Sequence, residues 1–417
     1  MDKQISRRSF IKTAGAVGGF MIVPRYVLGG PGYTPPSEIL TRGVIGTGAQ
    51  GMSHVTKYPQ TLAVCDVDKT RLARSLAKAG GKCDGYSDFR RVLERKDIDV
   101  IHIPTPPHWH SLITIMAAQA GKDIFSEKPL SRFIKEGRAA VEAVKRHGAV
   151  FAVNSRHRPH EVNRLRKIIK SGILGPNAKI DAEQHVKGWF SVRRKCGRTD
   201  LKPEPVPPEL DYEMWLGPAP YRPYNKNRVH YNFRCYWNTA GGGMLDRGQH
   251  QMVQPLYRLA KENESPVKVE VHAPWPSHPD AVTIWGWVKI TYADGSRIVL
   301  ESGEWGEPLP DMADIEEGTK EYDNVKLTPE QEELLRDMPD EKPATVAFED
   351  CVKSRDDTYC RQPNAEAAHR GATALHLANI AIRTGRTVHY DPVAEEIIGD
   401  EEQNRYVHGP MRAPWHI

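Results

Sequence analysis

The chain contains 417 residues, enough for about two domains of ordinary size; 39% of the residues are hydrophobic and 27% are charged. These proportions exclude a disordered or fibrous chain and are typical of a soluble globular protein. The net charge of +5 is small for this length, and basic residues are scattered among nearly as many acids, so we expect no nucleic-acid partner. The six cysteines include no Cys-x-x-Cys pair, so we predict no metal site and leave disulfide pairing open.

The first residues of the chain are typical of an export signal. The twin-arginine motif Ser6-Arg7-Arg8-Ser9-Phe10-Ile11-Lys12 is followed by an apolar run from Ala14 to Val23. About ten apolar residues are too few to span a bilayer, which requires about 20, so we expect no stable membrane anchor. The motif predicts recognition by the twin-arginine export machinery and a periplasmic location, with an amphipathic N-terminal helix as the alternative.

Beyond this segment, short apolar runs alternate with stretches of helical periodicity. The predicted strands are Val44–Gly46, Leu62–Cys65, Val100–Ile103, Asp123–Phe125 and Val150–Val153, and the predicted helices are Met52–Lys57, Lys69–Lys78, Asp88–Glu94, Trp109–Ala120 and Phe133–His147. Arg42 interrupts the apolar residues around the first strand. The alternation predicts an α/β fold with a parallel sheet and helices on both of its faces.

The first predicted strand leads into a glycine-rich loop, Gly46-Thr47-Gly48-Ala49-Gln50-Gly51. In this G-x-G-x-x-G pattern, Gly46 permits a tight turn, Gly48 lets a pyrophosphate approach the backbone, and Gly51 lets the next helix pack closely on the sheet. The second strand ends at Asp66, whose carboxylate can accept both ribose hydroxyls of NAD and would repel the additional phosphate of NADP. The pattern therefore predicts that this loop, including Ala49 and Gln50, binds NAD rather than NADP.

Two further loops follow predicted strands at the edge where ligands bind in such sheets. The first contains Thr105 and Pro106, with His110 close behind, and a plain strand-to-helix turn is the alternative interpretation. The second contains Glu127 and Lys128 directly after a strand, and for a single lysine a surface turn is the alternative. We expect both loops to border a cofactor cleft.

The glycine loop, Thr105-Pro106 with His110, and Glu127-Lys128-Pro129 together resemble the Gfo/Idh/MocA family of glucose-fructose oxidoreductases and inositol dehydrogenases. The resemblance covers nearly all of the chain after the signal. It includes the segments Leu210–Pro220 and Gly241–His250, which are similar to exported members from Bacteroidetes and Planctomycetes. It implies a Rossmann domain followed by an α/β domain with an open, mostly antiparallel sheet, whose outer face often forms an oligomer interface. We therefore expect a homo-oligomer, a dimer or a tetramer.

On this basis the chain divides into three parts. Residues 1–37 are the expected signal and linker, 38–153 the NAD-binding Rossmann domain, and 154–417 the domain for substrate binding and oligomerisation. In the last part, apolar or alternating patterns predict strands at Ile180–Val186, Val267–Val271, Ile284–Thr291 and Ile298–Glu301. A helical stretch at Ala365–Thr384 is expected to pack back against the first domain.

Asp246 and His250 lie four positions apart, a spacing that places both side chains on one face of a helix. Histidine titrates near pH 6.5 and can take a proton at neutral pH, and an adjacent carboxylate would orient its ring. The spacing matches the D-x-x-x-H of inositol dehydrogenase-like members, and Lys128 matches the lysine of the family's Glu-Lys-Pro motif. The resemblance therefore implies Lys128, Asp246 and His250 as the catalytic group. A metal site, or a capping aspartate with a core histidine, is the alternative for Asp246 and His250.

The resemblance also suggests residues near nicotinamide and substrate. Asn154, Arg156 and His157 follow the strand that links the domains, where the family often has polar side chains, with a hinge turn as the alternative. Aromatic rings suit the C–H faces of sugars, and arginine can donate to several hydroxyls. Candidate substrate-pocket residues of this kind, for each of which a core or interface role is the alternative, are Trp189, Trp215, Arg234, Tyr236 and Trp237.

The leading functional interpretation is hydride transfer between NAD and a secondary hydroxyl of a sugar, glycoside or polyol. Because the periplasm should offer little free NAD, we expect the cofactor to be tightly bound. The first alternative is an NAD-dependent glycosidase or epimerase-like enzyme, in which transient oxidation is reversed within each cycle. The second alternative is a non-catalytic sugar-binding protein.

Overall fold

The computed structural model describes residues 38–81, 83–155, 159–175, 179–188, 190–304, 325–340 and 345–417. Residues 42–417 form one unit, which contains two six-stranded sheets. Within the described ranges, no helix is long and apolar enough to cross a membrane. The expected export signal and linker, residues 1–37, lie outside the described residues, and the division of the chain at residue 153 stays a prediction.

The first sheet consists of β1 (Arg42–Ile45), β2 (Thr61–Cys65), β3 (Asp84–Tyr86), β4 (Val100–Ile103), β5 (Asp123–Glu127) and β6 (Phe151–Asn154). The strands are all parallel and lie in the order β3-β2-β1-β4-β5-β6. Every residue of β1 and β4 is buried, as expected for apolar strands that helices cover on both faces. The predicted parallel α/β sheet is thus confirmed. Its strand order reverses between β1 and β4, the point where such sheets bind ligands.

Helices follow the strands of this sheet: α1 (Ala49–Lys57), α2 (Lys69–Ala79), α3 (Phe89–Leu93), α4 (His110–Gln119) and α5 (Ile134–His147). The side chains of Asp68 and Asp88 cap α2 and α3 by accepting hydrogen bonds from backbone N–H groups of the first turn. In contrast, Gly48 precedes α1 at the capping position and has no side chain that could cap the helix. The first N–H groups of α1 are therefore not satisfied by a capping side chain.

Two features of this sheet differ from the expectation. The sequence does not predict β3, because its residues Asp84, Gly85 and Tyr86 form no apolar run and lie at the sheet edge. Arg42 does not interrupt the first strand but begins it. Its buried guanidinium donates to His102 Nε2 at 2.8 Å and to Glu349 Oε1 at 2.8 Å, so its charge is accommodated inside the sheet.

The second sheet consists of β7 (Glu183–Lys187), β8 (Lys268–His272), β9 (Trp287–Thr291), β10 (Arg297–Glu301), β11 (Val388–Asp391) and β12 (Glu396–Ile397). Its order is β12-β11-β8-β9-β10-β7, and all neighbours are antiparallel except β10 and β7. The expected open, mostly antiparallel sheet is confirmed. Val288 and Ile290 of β9 are buried between partly exposed neighbours, the alternation of a sheet with one face on a core.

The helices of the second half are α6 (Pro159–Lys170), α7 (Tyr212–Leu216), α8 (Gly242–Leu259), α9 (Pro329–Asp337), α10 (Phe348–Ser354), α11 (Ala365–Thr384) and α12 (Glu401–Asn404). Helix α11 has the predicted bounds. Ala365 and Ala368 at its beginning belong to the hydrophobic core of the first sheet, whereas Leu375 and Leu377 belong to that of the second. Helix α8 packs on α11, which fixes its position relative to both cores.

Candidate functional site

A cavity of about 590 Å³ lies at the carboxyl ends of the strands of the first sheet. The residues that line it from that side include Ile45, Cys65, Pro104, Glu127 and Asn154, and those from the second half of the chain include Trp215, Arg234, Asp246 and His250. The cavity therefore brings the predicted cofactor loop and the predicted catalytic residues to one site. Among the described residues, no group of His, Cys, Asp or Glu side chains could hold a metal ion.

The glycine loop forms a cradle at one end of this cavity. Gly46 has a φ of +95°, a conformation that L side chains rarely adopt. A Cβ on Gly51 would lie 1.9 Å from the carbonyl oxygen of Gly46, so only glycine lets α1 approach the loop this closely. Gly48, Ala49 and Gln50 line the cavity, and the uncapped N-terminus of α1 supplies N–H donors. The loop therefore fits a dinucleotide pyrophosphate.

Asp66 lines the same end of the cavity. One of its carboxylate oxygens, Oδ2, accepts hydrogen bonds from the Thr47 backbone N–H at 2.7 Å and from the Thr47 hydroxyl at 3.0 Å. The other, Oδ1, accepts from the backbone N–H of Asp68 at 3.0 Å. Asp66 thus fixes the glycine loop through Oδ2, whereas Oδ1, which accepts one hydrogen bond, retains capacity for the ribose hydroxyl expected from the sequence.

The loop after β4 also reaches the cavity. Thr105 and Pro106 line it, in agreement with the expectation. His110 does not, although the sequence suggested a cofactor contact. Its buried ring lies 2.6 Å from the carbonyl oxygen of Pro129 and 2.8 Å from that of Thr105. The ring therefore lies between the two cofactor loops; burial lowers its pKa, and the neutral imidazole, which has a single N–H, donates to one of these two carbonyl oxygens.

Glu127 is buried at the end of β5, where it lines the cavity. Its Oε1 atom accepts hydrogen bonds from Gln50 at 3.1 Å, from His54 at 3.1 Å and from Asn154 at 2.6 Å. Burial alone would raise the pKa of Glu127, but the bonds from His54 and Asn154 lower it to about 2. Glu127 is therefore ionised at neutral pH, and its Oε2 atom accepts no hydrogen bond from the described residues.

A series of hydrogen-bonded buried side chains, Arg42, His102 and His54, fixes the direction of the bond from His54 to Glu127. Arg42 can only donate, so His102 must accept through Nε2 and carry its proton on Nδ1. His102 then donates to His54 Nδ1 at 2.7 Å, which leaves the His54 proton on Nε2, facing Glu127. Burial lowers the pKa of His102 well below its ordinary value and keeps it neutral. The sequence did not indicate this chain, because its members come from β1, α1 and β4 and share no local motif.

Three cationic side chains surround Asp246 on α8. Lys128 donates to its backbone carbonyl oxygen and lies 3.1 Å from Oδ1, which Arg234 Nε also contacts at 3.0 Å. Lys195 Nζ lies 2.6 Å from Oδ2. Burial by itself would raise the pKa of Asp246, but Lys128, Arg234 and Lys195 lower it well below its ordinary value. Asp246 is thus a permanent anion, and it holds the Lys128 ammonium at the cavity.

Lys195 is a site residue that the sequence did not single out. Its side chain is 1% exposed, and burial lowers its pKa to about 8 despite the opposing effect of Asp246. In the sequence it belongs to the basic run Arg193-Arg194-Lys195, which is typical of a solvated surface turn. Lys195 does not line the cavity itself, and only its contact with Asp246 on α8, which is distant in sequence, connects it to the site.

His250 lies one helical turn after Asp246 on α8 and lines the cavity together with Lys128. The Ser155 hydroxyl donates to the backbone carbonyl oxygen of Gln249 at 3.2 Å, and its oxygen lies 3.4 Å from His250 Nδ1. Ser155 follows β6, so this contact links the end of the first sheet to α8. The predicted catalytic residues therefore line the same cavity as the glycine loop.

The aromatic candidates for a substrate pocket divide into two groups. Trp215 and Arg234 line the cavity. Tyr236 and Trp237 do not, contrary to the expectation; both are buried, and Trp237 Nε1 donates to the carbonyl oxygen of His278 at 2.8 Å within the core of the second half. Three further candidates, Arg156, His157 and Trp189, lie outside the described residues. Cavity-lining residues that the sequence did not single out include Asp68, Arg71, Tyr231, Phe233 and Arg247.

Comparisons with known proteins agree with this architecture. Curated relatives match parts of the chain. Levoglucosan dehydrogenase from Pseudarthrobacter phenanthrenivorans is 34% identical over 151 residues, 33% of this chain and 38% of that protein. Inositol 2-dehydrogenase from Klebsiella pneumoniae is 31% identical over 144 residues, 33% and 43% of the two chains. Alpha-N-acetylgalactosaminidase from Shewanella oneidensis is 26% identical over 171 residues, 34% and 37% of the two chains. The matches thus cover less than half of each relative.

Solved structures resemble a larger part of the chain. A levoglucosan dehydrogenase in complex with NADH and levoglucosan has a TM-score of 0.53 at 18% identity, over 84% of this chain and 99% of that one. An NAD-binding protein from Listeria innocua has a TM-score of 0.52 at 18% identity, over 84% and 97%. At these identities the likeness concerns the fold.

Two family models match successive parts of the chain. Residues 40–155 match the NAD-binding Rossmann fold of the oxidoreductase family, and residues 159–417 match its C-terminal alpha/beta domain. The second match alone spans more than half of the chain. The protein therefore belongs to the Gfo/Idh/MocA family of oxidoreductases, and its first sheet is the NAD-binding Rossmann domain of that family.

Proposed function

We propose that the protein is an NAD-dependent oxidoreductase that acts on a secondary hydroxyl of a sugar, glycoside or polyol. The observation that carries this proposal is that one cavity is lined both by the glycine loop and by Lys128, Asp246 and His250. The named activities of levoglucosan dehydrogenase and inositol 2-dehydrogenase, which match part of the chain, support the same reaction class.

The residues at the glycine loop would hold the dinucleotide. The N-terminus of α1 and the backbone at Gly48 would bind the pyrophosphate, and Asp66 would accept ribose hydroxyls, which favours NAD over NADP. The ionised Glu127, whose Oε2 faces no donor among the described residues, would accept a hydrogen bond from the cofactor. When bound, NAD supplies the hydride acceptor for the alcohol. We infer tight binding of NAD from the export expected for the chain.

Lys128, Asp246 and His250 would position the reacting hydroxyl and accept its proton. The three cationic neighbours of Asp246 hold its pKa well below its ordinary value, so its carboxylate is too weak a base to take the hydroxyl proton. It instead holds Lys128, whose ammonium can donate a hydrogen bond to the reacting oxygen and stabilise its developing negative charge. His250 is suited to take the hydroxyl proton, since an imidazole titrates near neutral pH.

The experiment replaces Lys128 with methionine and follows the absorbance of bound NADH during incubation with sugars, inositols and glycosides. We expect turnover to fall by about 100-fold or more, because the charge stabilisation at the reacting oxygen is lost, while NADH affinity changes little. Lys145→Met, at an exposed position on α5, is the matched control and should retain full activity. Unchanged turnover in Lys128→Met would contradict the proposed mechanism.

A redox-neutral reaction is the second candidate function. The partial match to an alpha-N-acetylgalactosaminidase favours keeping it, because that protein is named for glycoside cleavage. In such a cycle, oxidation of a ring carbon would acidify the neighbouring C–H bond, and the hydride would later return to the sugar. Incubation of purified protein with glycosides and without added NAD distinguishes the candidates, since turnover without net NADH supports the redox-neutral one.

The location and assembly of the protein are further parts of this proposal. The twin-arginine motif at Arg7 and Arg8 supports export to the periplasm by the twin-arginine machinery. Replacing both arginines with lysine should keep the protein in the cytoplasmic fraction. The family resemblance supports a homo-oligomer, a dimer or a tetramer, which light scattering of the purified protein measures directly.

A further inference from the structure

The catalytic end of the cavity contains more positive than negative charge. Lys128, Lys195 and Arg234 all contact the carboxylate of Asp246. We propose that this excess selects an acidic sugar, one that carries a carboxylate, as the substrate of the site. The inference rests on the proposed function for the location of the substrate, but it concerns binding and can be tested separately from hydride transfer.

The charges of the described residues give the size of the excess. Three cations share one anion at Asp246, which leaves two positive charges without a carboxylate. Glu127 is the other acid at this end of the cavity, and its ionised side chain is bonded to Gln50, His54 and Asn154 rather than to these cations. A neutral sugar would leave this field uncompensated.

Burial makes the excess costly. The side chains of Lys128, Lys195 and Arg234 are 12%, 1% and 21% exposed, so water screens their charges only in part. Burial, together with the nearby charges of Arg247 and Lys128, lowers the pKa of Lys195 to about 8 against the opposing effect of Asp246. Buried cations of this kind require an anionic partner. A substrate carboxylate in the cavity would provide it.

Arg234 is the group best placed to contact such a carboxylate. Its Nε atom donates to Asp246 Oδ1 at 3.0 Å and its Nη1 atom to the carbonyl oxygen of Tyr231 at 3.2 Å. Its Nη2 atom donates a hydrogen bond to none of the residues that the structure describes. The guanidinium also lies 4.7 Å from the ring of Tyr231 and 4.4 Å from that of Phe233, which restrict its plane. A fixed guanidinium with a remaining donor at the cavity suits a carboxylate.

The same cations could instead serve only the alkoxide charge that develops during the reaction. The two roles differ in the ground state. Stabilisation of an alkoxide gives no preference between a sugar acid and its neutral amide before reaction, whereas recognition of a substrate carboxylate gives one. Binding of matched acids and amides therefore separates them.

The experiment measures binding to the cofactor-loaded protein by titration calorimetry. The probes are glucuronate and galacturonate, each against its uronamide, with glucose 6-phosphate and glucose 6-sulfate as other anionic sugars. We expect at least one uronate to bind about 10-fold or more tightly than its amide. This ratio of dissociation constants corresponds to the free energy of one charge-assisted hydrogen bond. The preference should decrease as sodium chloride is added, because salt screens the cations.

Substitutions at Arg234 test whether this residue contacts the substrate carboxylate. Arg234→Gln should abolish most of the preference, and Arg234→Lys, which retains the charge, should keep part of it. Arg91→Gln, an exposed arginine paired with Glu94, is the control and should leave the preference unchanged. Thermal unfolding of each variant verifies that it is folded. If one of the two Arg234 variants does not fold, the other still provides the test.

Equal binding of every uronate and its amide would overturn the inference, as would tighter binding of the phosphate or sulfate esters than of the uronates. Preferential binding of a uronate without any change in NADH absorbance would sustain the inference and contradict the proposed oxidoreductase activity. Conversely, hydride transfer from neutral sugars with no preference for uronates would support the activity and overturn the inference.

Discussion

Replacing Gly51 with alanine tests whether the glycine loop imposes a steric requirement. Gly51 lies within the first turn of α1, where helix propensity alone favours alanine over glycine by about 1 kcal/mol. The structure predicts the opposite sign, because a Cβ at this position would lie 1.9 Å from the carbonyl oxygen of Gly46. Cβ atoms essentially never approach other heavy atoms closer than 3.0 Å, so the loop and the helix must separate by more than 1 Å.

The size of the destabilisation depends on the atoms that the new Cβ would meet, which are backbone atoms of Gly46. Overpacking costs about 1–3 kcal/mol, and backbone atoms cannot rotate away as a flexible side chain would, so we expect the upper half of that range. After the gain in helix propensity is subtracted, the net destabilisation is about 1–2 kcal/mol. Because the displaced loop is the phosphate cradle, NADH affinity should fall by about 10-fold or more.

A second helical glycine provides the matched control. Gly371 lies inside α11, and a Cβ there would meet its nearest neighbour, Leu256 Cδ1, at an ordinary 3.5 Å. Gly371→Ala should therefore be neutral or stabilising by up to about 1 kcal/mol, with unchanged NADH binding. Thermal unfolding measures the stability of both variants, and titration calorimetry measures the dissociation constant of NADH.

The reasoning would be refuted if Gly51→Ala were as stable as Gly371→Ala and bound NADH within about twofold of the wild type. Such a result would mean that the close approach between α1 and the loop is not required. A loss of stability without a loss of NADH affinity would contradict the assignment of the loop as the phosphate cradle.

Three further predictions concern the site and its surroundings. The pKa of Lys195 is about 8 in the folded state, below its ordinary value of 10.5, so between pH 8 and pH 10.5 the unfolded chain binds a proton that the folded chain does not. The free energy of unfolding of the wild type should therefore rise over this range by up to about 3 kcal/mol relative to that of Lys195→Met. The same pH dependence of unfolding in both proteins would contradict this. Asp246→Asn removes the anion shared by three cations and should lower the free energy of unfolding by about 3–5 kcal/mol, measured by urea titration. Gly217→Ala should also destabilise, since its Cβ would lie 2.0 Å from Trp109 and its φ is +49°; a wild-type melting temperature would contradict that contact.

Local patterns in the sequence were sufficient to predict much of the fold. The parallel sheet, the four strands near β7 to β10 and the bounds of α11 follow from hydrophobic periodicity, which reports the buried face of each element directly. The glycine loop could also be predicted, because a turn that brings backbone to within contact distance tolerates only glycine. The positions of Lys128, Asp246 and His250 at one cavity end were expected from the family resemblance rather than from periodicity.

The remaining features depend on contacts between distant parts of the chain. Lys195 resembles a surface lysine until α8 places Asp246 2.6 Å from it. Tyr236 and Trp237 have the composition of a sugar pocket, but the chain turns into the core directly after Arg234, which reverses their exposure. His54 likewise has the character of an ordinary helix residue, and its bond to Glu127 becomes apparent only when α1 is packed on the sheet. No single-sequence pattern records such pairings.

Helix α11 limits how the molecule can be dissected. Its first turn completes the core of the nucleotide-binding half, and the segment before it pairs with the outer edge of β6, where Val153 donates to the carbonyl oxygen of Pro363 at 3.0 Å. A fragment that stops at residue 155 would leave that edge unpaired and an apolar surface open, and so would aggregate. Chimaeras between relatives should therefore exchange the interior of the second half while retaining each parent's own C-terminal helix with its Rossmann domain.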